Sequence, residues 1–151
     1  FCVQNKVALE QGLAWAEDAI SKKYIGLKNF QTLSNKAQVL TAMGRDAEAS
    51  ALMKEAIKEP TAGMQDIHMF ARSLQASKKP QEALEIFKLN NQRYPDDYMT
   101  LFGLVRGYSG VGDYKNALKY ANLALPKAAN AQQKSQMEAA IAKLKENKDM
   151  N

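Results

Sequence analysis

The chain is poor in the residues that most often carry chemistry: its 151 residues include one cysteine, one histidine and one tryptophan. A lone cysteine, Cys2, cannot close an internal disulfide. We read it as a small apolar residue near the terminus and not as a reactive thiol. Zinc sites draw on clustered Cys and His ligands, and His68 lies far from Cys2 in sequence. We therefore expect no metal and no cofactor. Proline and glycine are scarce, at four and eight residues, which excludes a low-complexity chain. No apolar run approaches the roughly 18 residues of a membrane span, and the first residues lack the charged-then-apolar pattern of a secretory leader. The chain opens at Phe1 and enters a helical pattern within a few residues. From this we expect it to have been cut from a longer protein near a domain boundary.

Strands are the next absence. No segment sustains the apolar–polar alternation of a half-buried strand, so the fold class we expect is all-α. A phosphate-binding glycine loop, which follows a strand, falls with it. Catalytic constellations fail on inventory as well. Asp66 precedes His68 by two residues, and on a helix such neighbours point in different directions. Glu17-Asp18 and Asp96-Asp97 are adjacent pairs, and Asp96-Asp97 suits a helix start, where the dipole favours acidic groups. We expect no enzyme.

What is present is a period. Ala49, Ala83 and Ala117 recur at intervals of 34 residues, the kind of spacing that marks a repeat protein. Other small or apolar residues stay in phase with them: Leu33, Ile67 and Leu101; Ala37, Ala71 and Val105; Leu40, Leu74 and Tyr108; Met53, Phe87 and Ala121. The frame predicts a first helix over Lys6–Lys22, then helix pairs over Phe30–Met43 and Asp46–Lys58, Ala62–Ser77 and Pro80–Arg93, and Asp97–Ser109 and Asp113–Leu125. Gly44 supplies a helix stop, Asp46 and Asp113 are candidate N-caps, and Pro80 suits the first turn of its helix. Gly12 reads as a point of close approach to a neighbouring helix. The stripe Met137, Ala140, Ile141 and Leu144 makes Ala131–Asn147 an amphipathic terminal helix, the polar-faced cap that an open helical stack requires. The length fits one domain.

These columns resemble the tetratricopeptide repeat. The resemblance is best in the second repeat (Ala71, Leu74, Ala83, Phe87, Pro95) and continues through Leu104, Tyr108, Gly112-Asp113-Tyr114, Ala117 and Ala124. The first repeat contributes Ala37, Leu40, Gly44, Ala49 and Ala56. It implies an α-α superhelix of about eight helices in antiparallel pairs: a half repeat at 6–22, repeats at about 30–60, 62–95 and 97–126, and a cap at about 131–147. Lys36, Asn90 and Ala121 depart from the pattern, and Pro126 falls three residues early. The run Gly12-Leu-Ala-Trp15-Ala with Asn29-Phe30, Lys36-Ala37 and Gly44-Arg45 is also similar to the helical C-terminal part of secreted bacterial proteins with a β-rich domain upstream. That likeness implies a periplasmic or extracellular location.

In such arrays the first helices of successive pairs line a concave face. Carried onto this chain, that face holds Gln31, Ser34, Asn35 and Gln38, then Gln65, His68, Met69 and Arg72, then Met99, Phe102 and Arg106. Within each helix these stand three, four or seven residues apart and share a side. The set joins amides, two arginines and an apolar patch, which suits a peptide bearing an acidic group. The Lys and Asn of the family's carboxylate clamp are absent: Ser34, Gln38, Met69, Met99 and Gly103 stand there. We expect a non-catalytic protein or peptide interaction scaffold whose partner is acidic, or the chain's own upstream region. A structural accessory region without a ligand of its own is one alternative. An RNA-binding helical repeat is another, prompted by the net charge of +5 and a pI near 9.2. The basic residues are scattered and not striped, so we expect no nucleic-acid partner. We read Trp15 as packing on the next pair or on an upstream domain, and Lys36 as laying its stem over apolar neighbours.

Overall fold

The computed structural model describes residues 6–21 and 28–151, which form eight α-helices and no strand. The expectation for Cys2 lies outside the described residues. The helices are α1 (Lys6–Ile20), α2 (Phe30–Ala42), α3 (Asp46–Ala56), α4 (Met64–Ala76), α5 (Pro80–Arg93), α6 (Tyr98–Gly110), α7 (Tyr114–Ala124) and α8 (Ala131–Lys145). A 3-10 turn, Leu125–Lys127, takes up the early proline. Adjacent helices pack in pairs, an arrangement compatible with a helical repeat. No helix among the described residues is long and apolar enough to cross a membrane. The chain divides into two compact units, Phe1–Gly63 and Met64–Asn151.

The period is written into the backbone. Each pair turns through three residues, and the middle one has positive φ: Gly44 (74°), Lys78 (58°) and Gly112 (80°). The amide after it returns to the preceding helix in the same bond each time: Arg45 N to Leu40 O (2.8 Å), Lys79 N to Leu74 O (2.9 Å) and Asp113 N to Tyr108 O (2.9 Å). Such left-handed closures satisfy carbonyls that a helix end leaves open. Glycine makes the turn at no steric cost; Lys78 makes it at some.

In the first unit, α2 packs against both α1 and α3. Leu33, Ala37, Leu40 and Ala49 are buried there, with Leu13, Leu52 and Met53 packed around the last three. A capping box starts α2: Asn29 Oδ1 accepts from Thr32 N at 2.9 Å, and Thr32 Oγ1 accepts from Asn29 N at 3.1 Å. Asp46 does not cap α3. It is the first helical residue, and Arg45 holds the cap position without a side-chain bond. Arg45 instead spends its guanidinium on Glu48, at 2.7 Å from each oxygen. Lys36 is half-buried, and its ammonium reaches Glu17 of α1 at 3.1 Å. Trp15 is 57 % exposed and therefore not packed into the pair. Nor does Gly12 mark a close approach: a Cβ there would meet only Val39 Cγ1, at 4.0 Å.

In the second unit each helix packs on the next, and α6 also touches α4. Contact between the first helices of successive pairs is the stacking step of a repeat array. It leaves α6 enclosed: residues 100–105, Gly107 and Ser109 are all buried. Two glycines permit this. A Cβ on Gly103 would stand 2.6 Å from Phe87 Cδ1, and one on Gly107 would stand 2.9 Å from Leu84 Cδ1 and 3.2 Å from Leu84 Cα. Asn90, odd in an apolar column, is fully buried and donates through Nδ2 to Met64 O (3.0 Å), tying α5 to the start of α4. Ala121 is small because Phe102, Met137 and Leu144 belong to the same buried cluster. Asp113 caps α7 as expected, accepting from Asn116 N at 3.1 Å. Pro80 is the first residue of α5.

Candidate functional site

The first-helix residues of the first unit form a self-contained polar surface. Gln31, Asn35 and Gln38 are exposed on α2. Gln31 Nε2 donates to Asn35 Oδ1 at 2.8 Å, one helical turn away. Ser34, expected beside them, is buried and donates to Gln31 O at 3.0 Å. A hydroxyl satisfied by its own helix offers little to a ligand.

The second unit sorts its candidates differently. Gln65, Met69 and Arg72 are exposed on α4, whose other side buries Ile67, Phe70, Ala71 and Leu74. Met69 is 53 % exposed, a large apolar side chain left to solvent. On α6, Met99 and Arg106 are half-buried. Two residues expected on the surface are in the interior. Phe102 is buried, stacks on Tyr98 with centroids 5.9 Å apart, and joins the α6–α7–α8 core. His68 is 8 % exposed, and its ring meets Phe87 at 5.4 Å. The cause is the small-residue seam of α6. With no side chain at Gly103, α5 and the His68 ring close over it, and Nδ1 lies 3.4 Å from where a Cβ would stand.

The electrostatics follow from that enclosure. Burial, and after it the guanidinium charges of Arg72 and Arg106, push the His68 pKa down to about 4. The imidazole is therefore neutral at physiological pH. Its Nδ1 is buried without a hydrogen-bond partner, and so is Arg106 Nε. Burial, followed by the charge of Arg72, also lowers the pKa of Arg106; Asp149 acts against them. Arg106 lies over the Phe102 ring at 5.7 Å, a favourable cation–π arrangement. Neither Arg72 nor Arg106 has a carboxylate within salt-bridge distance among the described residues.

One wall of this region lay outside the sequence-based expectation. The segment after α8 returns to the end of α6. Ser109, buried, donates through Oγ to Asp149 Oδ1 and accepts from Met150 N at 2.9 Å. Asn151 Nδ2 and Gln75 Nε2 both donate to Arg106 O, each at 3.1 Å. No periodic signal announces such a return, because the segment follows the last helix. A serine in an apolar phase of α6 was the available hint.

Compared with known proteins, the chain matches no family model, no curated protein and no solved structure. Among the described residues no group of His, Cys, Asp and Glu could hold a metal ion.

Proposed function

We propose that this chain is a tetratricopeptide-like interaction scaffold that binds a protein or peptide segment through the first helices of its repeats, with the α4–α6 face as the working part. The observation that supports this is the pairing on α4 of an exposed Met69 with an ion-pair-free Arg72, beside the similarly unpaired Arg106 of α6. An exposed methionine and an arginine are the side chains that interfaces favour over lysine and glutamate. The reading is non-catalytic. A neutral, enclosed histidine with no hydrogen bond to a nucleophile or a carboxylate has no obvious general-base role.

The test is binding of acidic peptides by titration calorimetry. Replacing both Arg72 and Arg106 by Ala should weaken binding by about a hundredfold if each guanidinium makes one charge-assisted contact. Unchanged affinity would remove this face from consideration. RNA binding is the competing use of the basic charge; it predicts affinity for single-stranded RNA that falls steeply with salt.

A further inference from the structure

Resting on that reading, we infer that His68, Arg72 and Arg106 form one subsite for a single carboxylate, with the neutral imidazole of His68 as its third donor. His68 and Arg72 stand four residues apart on α4 and share its side, and Arg106 comes from α6, which contacts α4. The His68 ring lies against Gly103 of α6, with Nδ1 3.4 Å from where a Cβ there would stand, and Arg106 follows Gly103 by one helical turn. Among the described residues no carboxylate pairs with either arginine, and none gives His68 a hydrogen bond. A guanidinium only donates. With Nδ1 enclosed and without a partner, the nitrogen that the neutral ring can turn to a ligand as a donor is Nε2. The set is then all donors, and its complement is an acceptor-only group of negative charge. A carboxylate, whose two oxygens suit guanidinium donors and which accepts without donating, meets that description.

A carboxylate of the chain itself, Asp149, already acts on Arg106 from outside this set. Burial alone would raise its pKa, yet hydrogen bonds from Ser109, Asn151 and Met150 together hold it low, so it brings a negative charge toward Arg106. The groups facing His68 are Arg72 from its own helix and Arg106 from α6; α5 presents Phe87, which does not titrate.

The chain's only histidine makes the test direct, since its ring resonances need no assignment among others. The pH titration of His68 is followed by NMR alone, with acetate, with a capped peptide containing Leu-Glu-Leu, and with its Glu→Gln twin. A carboxylate among these donors raises the His68 pKa by about one to three units, and Arg72→Gln, at an exposed position, lowers affinity about tenfold or more. The Gln twin leaves the titration unmoved. If acetate shifts His68 as far as the peptide does, the subsite stands and accepts free carboxylates; if only the peptide does, the flanking apolar residues are required. Peptide binding that leaves His68 unmoved overturns the subsite while sparing the scaffold reading. So does an equal shift with chloride. No binding of any acidic peptide overturns both.

Discussion

The first helices of the repeat frame carry opposite chemistry in the two units. On α2, Gln31 and Asn35 hydrogen-bond to each other and Ser34 to its own helix. On α4 and α6, His68 and Arg106 have buried polar atoms with no partner. The first unit is polar and satisfied; the second is polar and unsatisfied. A buried polar atom without a partner costs stability and calls for an explanation, and on the proposed reading a ligand at this face offsets that cost. The period marks equivalent positions, and the unmade bonds distinguish the second unit from the first.

The largest expected contrast is in packing. Phe87 is fully enclosed by α6, whereas Met53, in the same column of the first unit, is only half-buried. Phe87→Ala should cost about 3–5 kcal/mol, and Met53→Ala distinctly less, both read from urea unfolding. Equal costs would mean that α6 does not close on α5 as described.

Acid should strike the second unit through His68. Its folded pKa of about 4 lies below the ordinary 6.5. Between those values the unfolded chain binds a proton that the native state refuses, so this stability is complete above pH 6.5 and is lost as pH falls toward 4. The loss is on the order of 3 kcal/mol at most. Comparing wild type with His68→Gln over that window isolates it from the carboxylates, and parallel curves would mean the ring is not enclosed.

Glycines sharpen the comparison further. Gly107→Ala drives a Cβ against Leu84 Cα and should destabilise by about 1–3 kcal/mol. Gly12→Ala in α1 has room and should gain up to about 1 kcal/mol from helix propensity. Thermal melts of the two variants should move in opposite directions.

The smallest effect probes the period itself. Lys78 occupies the left-handed position that Gly44 and Gly112 occupy in the other turns. Lys78→Gly should stabilise by roughly 0.5–1 kcal/mol, and Gly112→Ala should destabilise by a similar amount. A loss on introducing glycine would break the equivalence of the turns.

Much of this fold was legible in the spacing of small residues. Packing columns have to recur when helices stack, so Leu33, Ile67 and Leu101, or Ala37, Ala71 and Val105, announced buried positions that are buried. Helix ends were legible where glycine or proline punctuates, as at Gly44 and Pro80. They were less so at Asp46, where an available cap is used as the first helical residue and Arg45, tied by its amide to Leu40 O, takes the cap position. The candidate face was harder. Position on a helix decides which side a residue faces, but depth depends on how closely the neighbours approach. His68 and Phe102 were read as surface, and the glycine seam of α6 buries the first while the α7–α8 core buries the second. The return of Asp149–Asn151 to Ser109 and Arg106 is non-local, and no helical period encodes it.

The most direct measurement sets the two faces against each other. An acidic peptide is titrated into Arg72→Ala/Arg106→Ala and, separately, into Gln31→Ala/Asn35→Ala. The account predicts a loss of about a hundredfold in the first and affinity within about twofold of wild type in the second, where only a hydrogen bond between exposed amides is lost. Equal losses in both, or a loss confined to the Gln31/Asn35 variant, would contradict it.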